Sequence, residues 1–293
     1  MRRNGRRLLG IAGAVTGAMK TVARAAGLGH GPSLRVIVYH DVPLSLRSRC
    51  AAQLGKLART WRFVSPSEFE RMLTGDMPLL GRNLLVTFDD GFASNRAVAE
   101  EVLRPMGIQA LFFIVPEFVG FSDTAASRRY IVQRIQPGRA IETLDPGLNN
   151  MGWADLEALL EMGHAIGAHT CTHARIATLN TTADREHEIS DCADIIESRL
   201  GCRVNHFAFP YGEIASITED TLEIAARRYQ FVHSGLRGEN CRISPLAVRR
   251  DVVAPTEAIG VVEAFVEGLV DIRYARSRAI LDRWAARVDE ASR

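Results

Sequence analysis

From residue 34 onward the chain alternates short apolar runs with amphipathic segments. The runs Leu34–Tyr39, Leu84–Phe88, Ala110–Val115, Ala165–Ala168, Val204–Phe209, Gln230–Val232 and Ala247–Val253 read as strands. Several are continuously apolar, the pattern of strands buried on both faces. Helix punctuation falls between them. Ser65-Pro66-Ser67-Glu68 is a capping box with proline at the first helical position, and Gly75 is its stop. Asp155 to Met162 carries Leu156, Leu159 and Leu160 on one face before Gly163. Thr182 to Leu200 carries Ile189, Ile196 and Leu200 on a stripe before Gly201, and Ser216-x-x-Glu219 opens a helix containing Leu222. About seven β-then-α units predict an α/β fold whose parallel sheet closes, or nearly closes, into a distorted (β/α) barrel. Residues 120–150 read as a long insertion loop after the third of these strands. The expected division is a basic N-terminal arm over 1–33, the barrel over 34–270 and a C-terminal helical extension over 271–293.

Composition narrows the class. With 293 residues, 47% hydrophobic and 24% charged, the chain can bury a sizeable core. A formal charge of +2 is too small for the electrostatic footprint of a nucleic-acid partner. Cys50, Cys171, Cys192, Cys202 and Cys241 are odd in number and form no CxxC pair, which argues against a disulfide framework and for a reducing compartment. The expectation is therefore the cytoplasm or the cytoplasmic face of a membrane, with export to the periplasm as the alternative. That alternative comes from the N-terminal stretch, which has no acidic residue before Asp41 but contains Arg2, Arg3, Arg6, Arg7, Lys20, Arg24 and Arg35. Its apolar stretch, Leu8 to Met19, is too short to span a bilayer comfortably. An export signal, a basic helix in peripheral contact with anionic lipid, and a loosely ordered arm are all compatible with it. Oligomeric state is left open.

Barrel enzymes carry their chemistry at the carboxyl ends of the strands. Those ends read Tyr39-His40-Asp41, Asp89-Asp90, Pro116-Glu117, His169-x-x-x-His173, Phe209-Pro210-Tyr211-Gly212, His233-Ser234 and Arg249-Arg250-Asp251. A four-residue spacing can bring His169 and His173 to one side of a helical turn or tight loop. A carboxylate from another strand would complete a three-ligand site with one coordination position open. That donor set suits zinc or another borderline divalent ion better than calcium or magnesium. The adjacent acids then have separate uses, one binding the ion and the other free as a general base. The ion's charge would let both stay ionised. A role for Asp90 as N-cap of a helix over Ala93–Leu103 is compatible with this, but a cap does not need both acids.

"VTFDDG" at 86–91, "HTCTH" at 169–173 and "FAFPYG" at 207–212, in that order, resemble the polysaccharide deacetylases with the NodB homology domain, carbohydrate esterase family 4. "VIVYHDV", "FVSPSEF", "LFFIV" and "WADLEALLEMGHAIGAHTCTH" agree, and the resemblance covers about residues 34–253. It implies a NodB-type barrel that removes N-acetyl groups from N-acetylglucosamine units of an exopolysaccharide, a chitooligosaccharide or a related glycan. It makes Asp89 the catalytic base and Asp90, His169 and His173 the metal ligands. It also places Tyr211 where a backbone N–H helps hold the oxyanion, in a loop shaped by Pro210. Two departures stand out. Many members carry an arginine where this chain has Ala208, so Arg249 or Arg250 is expected to substitute, unless both form surface salt bridges. Many also take a general acid from a late Leu-x-His motif, and no histidine follows His233 here. His40 matches the first-strand acid of some bacterial exopolysaccharide deacetylases and is the candidate, with His233 next. Cys171 is read as space-filling. Two other functions stay open: an O-acetyl esterase or cyclic amidase on the same barrel, and a non-catalytic glycan-binding subunit of a membrane assembly.

Overall fold

The computed structural model describes residues 31–291, so the readings of the arm over residues 1–30 lie outside the described residues. Eight strands form the sheet: β1 (Ser33–Tyr39), β2 (Arg62–Phe63), β3 (Arg82–Phe88), β4 (Leu111–Ile114), β5 (Ala165–Ala168), β6 (His206–Ala208), β7 (Phe231–His233) and β8 (Asp251–Val252). All pairings are parallel, in the order β7-β6-β5-β4-β3-β1-β8, with β2 beside the start of β3. The ring closes through one short segment. Val248 bonds β7, donating to Val232 O and accepting from Ser234 N–H, while Asp251 and Val252 pair with Ile37 and Val38 of β1. This is the distorted (β/α) barrel the periodicity predicts. Each of the seven expected runs overlaps a strand; some strands are shorter than the run, while β1, β3 and β7 reach one or two residues beyond it. β2 was not expected, because two residues are too few to show a period.

Alternation along the strands sorts the core into two faces. Leu34, Val36, Leu85, Leu111, Phe113, Ala208 and Val248 face the bore, together with Phe69 and Met72 of the helix Pro66–Thr74. That helix forms as read: Ser65 Oγ accepts the Glu68 N–H at 3.2 Å and the Glu68 carboxylate accepts the Ser65 N–H at 2.9 Å. It ends at Gly75, whose φ of +88° suits a residue without a Cβ. The opposite face, including Ile37, Tyr39, Leu84, Val86, Phe112, Phe207 and Val232, packs against the surrounding helices. Gly167 makes room for the Phe113 ring in the bore, since a Cβ there would lie 2.6 Å from it.

Three segments differ from their reading. Residues 120–150 are not an irregular loop: a helix over Thr124–Tyr130 continues into a wider turn over Ile131–Ile135. Tyr130, Ile131, Ile135, Leu144 and Leu148 bury themselves with Phe92, Val115 and Phe118 in a small separate core. The helix Glu219–Arg228 starts from Thr218, whose N–H is accepted by Thr221 Oγ1 at 2.9 Å, because Ser216 belongs to a preceding 3-10 turn. The stretch 182–200 is interrupted by a wider turn over His187–Asp191. The last helix, Ala275–Ala291, lies on the barrel with Leu281, Ala285 and Val288 in the main core.

Candidate active site

At the end of β3 the Asp89 N–H still donates to Tyr39 O at 2.9 Å, continuing the pairing with β1. The chain then reverses through Asp90 and Gly91, with φ of +78° and +97°. Asp tolerates this left-handed conformation better than most residues. The helix that follows spans Ala93–Val98 with Phe92 as its N-cap and no side-chain cap, so the expected capping by Asp90 does not form. Its Oδ1 instead lies buried and without a hydrogen-bond partner among the described residues, 3.5 Å from His169 Nε2 and 3.4 Å from His173 Nε2. The histidines follow β5 in a tight loop, and left-handed turns at Thr170 and His173 bring their rings to 5.3 Å. Glu188, which the sequence reading passed over, pins that loop: it accepts the Thr172 N–H at 3.0 Å and the Thr172 hydroxyl at 2.7 Å.

The three side chains suit a metal ion. His169 Nδ1 is 2.7 Å from Ala208 O, and His173 Nδ1 is 2.9 Å from Arg134 O. A carbonyl only accepts, so the protons sit on Nδ1 and both Nε2 atoms offer lone pairs. Tetrahedral ligands about 2.1 Å from an ion stand about 3.4 Å apart. The two Asp90 separations, 3.5 and 3.4 Å, are of that size. All three donor atoms lie within 4.8 Å of one another. Burial works against an ionised Asp90, but His173, His40 and His169 hold its carboxyl well below the usual range. Burial, reinforced by His173 and Arg250, pushes His169 down to about 4 against the pull of Asp89 and Asp90. For His173 burial also acts downward, but Asp90 outweighs it and the net shift is upward.

Asp89 has a different partner. Its Oδ1 accepts from Arg250 Nη1 at 2.6 Å, and Arg250 Nε donates to Ser234 O at 3.0 Å. The side chains of this pair are 4% and 3% exposed, enough to make it a buried ion pair. Asp89 Oδ2 lies 3.9 Å from His169 Nε2, on the ligand side. Arg250 therefore stands as the cation beside Asp89. Arg249 does not: its guanidinium turns to Asp282, at 2.7 and 2.8 Å, and to Glu239 O. The segment between Val248 and β8 turns the two neighbours to opposite sides.

The other expected residues divide in the same way. Tyr211 and Gly212 are left-handed, with φ of +64° and +65°, and the turn after Pro210 closes with Gly212 N–H to Pro210 O at 2.7 Å. That bond leaves the Tyr211 N–H out of the turn. The Tyr211 ring lies 5.1 Å from that of His173, with the Arg175 guanidinium stacked on it at 4.0 Å. His40 is half-buried after β1, with Asn95 Nδ2 donating to its carbonyl at 2.8 Å. His233 is not on the rim at all; it is fully buried in the bore against Phe69 and Phe113. Glu117 accepts from Tyr130 at 3.0 Å, and Asp251 pairs with Arg35. Cys171 is buried with its thiol on His187 O, apart from the ligand set.

A family model described as polysaccharide deacetylase matches residues 78–229. The Bacillus subtilis (strain 168) protein YxkH is 20% identical over 200 residues, 66% of this chain and 61% of its own, so the match spans less than two thirds of that relative. The structure of IcaB from Ammonifex degensii superposes with a TM-score of 0.61 at 26% identity, covering 81% of this chain and 98% of IcaB. The Streptococcus pyogenes deacetylase PplD, in complex with acetate, gives a TM-score of 0.62 at 16% identity, covering 80% of this chain and 99% of PplD. At that identity the second likeness speaks for the fold alone.

Proposed function

The chain belongs to the polysaccharide deacetylase family, and from that membership we propose that it is a metal-dependent hydrolase, with zinc as the ion, that removes acetyl groups from N-acetylglucosamine units of an exopolysaccharide or chitooligosaccharide. The observation that carries this reading is the division of the adjacent acids: Asp90 faces His169 and His173, while Asp89 is held by Arg250. An ion held by Asp90, His169 and His173 would supply Lewis-acid polarisation of the acetyl carbonyl and lower the pKa of the attacking water towards about 7. Asp89, with Oδ1 taken by Arg250, keeps Oδ2 to accept the proton of that water. The Tyr211 N–H donates to the carbonyl oxygen as charge builds on it. His40 delivers a proton to the amide nitrogen as the C–N bond breaks, since an unprotonated amine leaves poorly. Water's hydroxyl ends on acetate and the amine stays on the sugar. Acetate release from a panel of N-acetylated and O-acetylated glycans, by untreated, chelated and zinc-restored protein, tests the reading. Release from N-acetylated glycans that is lost on chelation and regained with zinc is expected. Release from O-acetyl esters alone, or at an unchanged rate after chelation with the ion gone, would overturn it.

A further inference from the structure

The bore contains a polar chain that this chemistry does not use. In the β6–β7 register Ala208 stands opposite His233 and His206 opposite Phe231, so both histidines point inward. Glu70 comes from the helix that also sends Phe69 and Met72 into the bore. Glu70 Oε1 is 2.8 Å from His206 Nε2, and His206 Nδ1 is 3.0 Å from His233 Nε2. Both rings are buried, while the Glu70 side chain keeps 29% of its exposure. The remaining nitrogen, His233 Nδ1, is buried with no hydrogen-bond partner among the described residues. The His233 ring lies 4.9 Å from that of Phe113, and the Arg250 guanidinium sits over the same ring at 5.0 Å. Arg250 is also anchored on the carbonyl of Ser234, the residue after His233. Two imidazoles cost more to bury in this bore than apolar side chains of similar size.

The protons in this chain are set from its outer end. A carboxylate only accepts, so His206 places its N–H on Nε2. A neutral His206 then has a lone pair on Nδ1, and His233 must donate from Nε2. That leaves the lone pair of His233 on Nδ1. The Arg250 guanidinium, packed on the Phe113 ring that His233 also meets, does not lose its charge, and in its field a lone pair is favourable and an N–H is not. Burial, together with His206 and Arg250, holds His233 well below its ordinary value, in keeping with a neutral ring.

We propose that Glu70, His206 and His233 are positioning residues for the hydrolysis: Glu70 fixes the ring tautomers so that the buried Nδ1 of His233 carries a lone pair and not an N–H, which keeps the field around the Phe113 ring favourable to the Arg250 guanidinium and steadies it on Asp89. The proposal rests on the reading of Asp89 as the base. Its test uses the full chain, zinc-loaded and 15N-labelled at histidine, and reads the ring-nitrogen shifts of His233 together with kcat, KM and zinc content. In the wild type Nδ1 should be the unprotonated nitrogen. Glu70→Lys replaces an acceptor with a donor and should move the proton onto Nδ1. Its kcat should drop about 10- to 100-fold, the range for lost outer partners of a site, with KM and zinc content unchanged. Glu70→Asp should keep the wild-type tautomer and most of kcat, and His233→Phe should lose kcat as Glu70→Lys does. A protonated Nδ1 in the wild type, no tautomer change in Glu70→Lys, or a wild-type kcat in either Glu70→Lys or His233→Phe would overturn the proposal. Should Glu70→Lys fail to fold, His233→Phe and the wild-type tautomer still decide. Asp89→Asn, assayed alongside, separates this failure from that of the base reading: full turnover there would remove the base while leaving the tautomer measurement intact.

Discussion

Arg249 and Arg250 differ by one position and, on these contacts, by orders of magnitude in consequence. The charges of Arg250 and Asp89 stand 2.6 Å apart with both side chains almost wholly buried. At an effective dielectric near 20 their attraction is about 6 kcal/mol, much of which offsets the desolvation of the two groups. Removing one member of such a pair typically costs about 3–5 kcal/mol, because the other is left buried and unpaired. Arg250→Met should meet that cost in one of two ways. The barrel loses stability, or Asp89 takes up a proton and can no longer serve as a base. In the second case turnover should fall by about 10²-fold or more, with the ion retained because Arg250 contacts none of the three Nε2 or Oδ1 donors. Arg249→Met removes a pair whose acid, Asp282, is 41% exposed, worth about 0–1 kcal/mol. It should leave turnover near wild type. Acetate release, thermal unfolding and metal analysis on both variants decide the matter. A folded, metal-loaded Arg250→Met enzyme within about threefold of wild-type turnover, a difference of well under 1 kcal/mol in barrier, would refute the reasoning, as would equal losses in the two variants.

Three further expectations follow from the site and its surroundings. Asp89→Asn should keep its metal and lose about 10²–10⁴-fold in turnover, whereas Asp90→Asn should lose metal; elemental analysis of the two purified variants separates these outcomes, and equal depletion would mean the acids share one role. His40→Ala should hold metal and fold yet slow hydrolysis of the N-acetyl sugar by about two orders of magnitude or more, with a smaller loss on an activated ester whose leaving group needs no proton. His164 accepts the Ala110 N–H at 3.0 Å, and burial, aided by Arg96, lowers it from 6.5 to about 4. Between those values the unfolded chain binds the extra proton, so stability is full above about pH 6.5 and is lost as pH falls towards 4. His164→Gln can keep the acceptor without titrating, and chemical denaturation across that window should show a shallower acid slope than wild type; identical slopes would count against the assignment.

Strands were legible where burial on both faces leaves an unbroken apolar run, as at Ala110–Val115, which the structure trims to Leu111–Ile114. β2 was not, because Arg62 and Phe63 form a pair too short to carry a period. The insertion was misread for a different reason. Its apolar residues serve a small core of their own, so they do not line up with the periodicity of the barrel. At the site, Asp90, His169 and His173 could be found from strand ends and spacing. The choice between Arg249 and Arg250 could not, since it depends on which of two consecutive residues faces the bore, and a shift of one reverses every side chain. Nothing local marks Glu70, His206 and His233 as a group. They meet only through the β6–β7 register and the helix that enters the bore.

The segment that completes the ring also carries Arg250, so on the proposed function the order in which the chain assembles determines when chemistry can begin. Asp90, His169 and His173 all precede residue 174 and can gather once β3, β4, β5 and β6 have paired, β6 bringing the Ala208 carbonyl to His169. The Asp89–Arg250 contact spans 161 positions. Such a distant contact forms late, because the loop it closes must first be drawn in. A chain still emerging during synthesis, or one cut before the closing segment, would thus have its ligand residues together and its base unheld. An intermediate that captures the ion but releases no acetate is the species this order of assembly leaves behind.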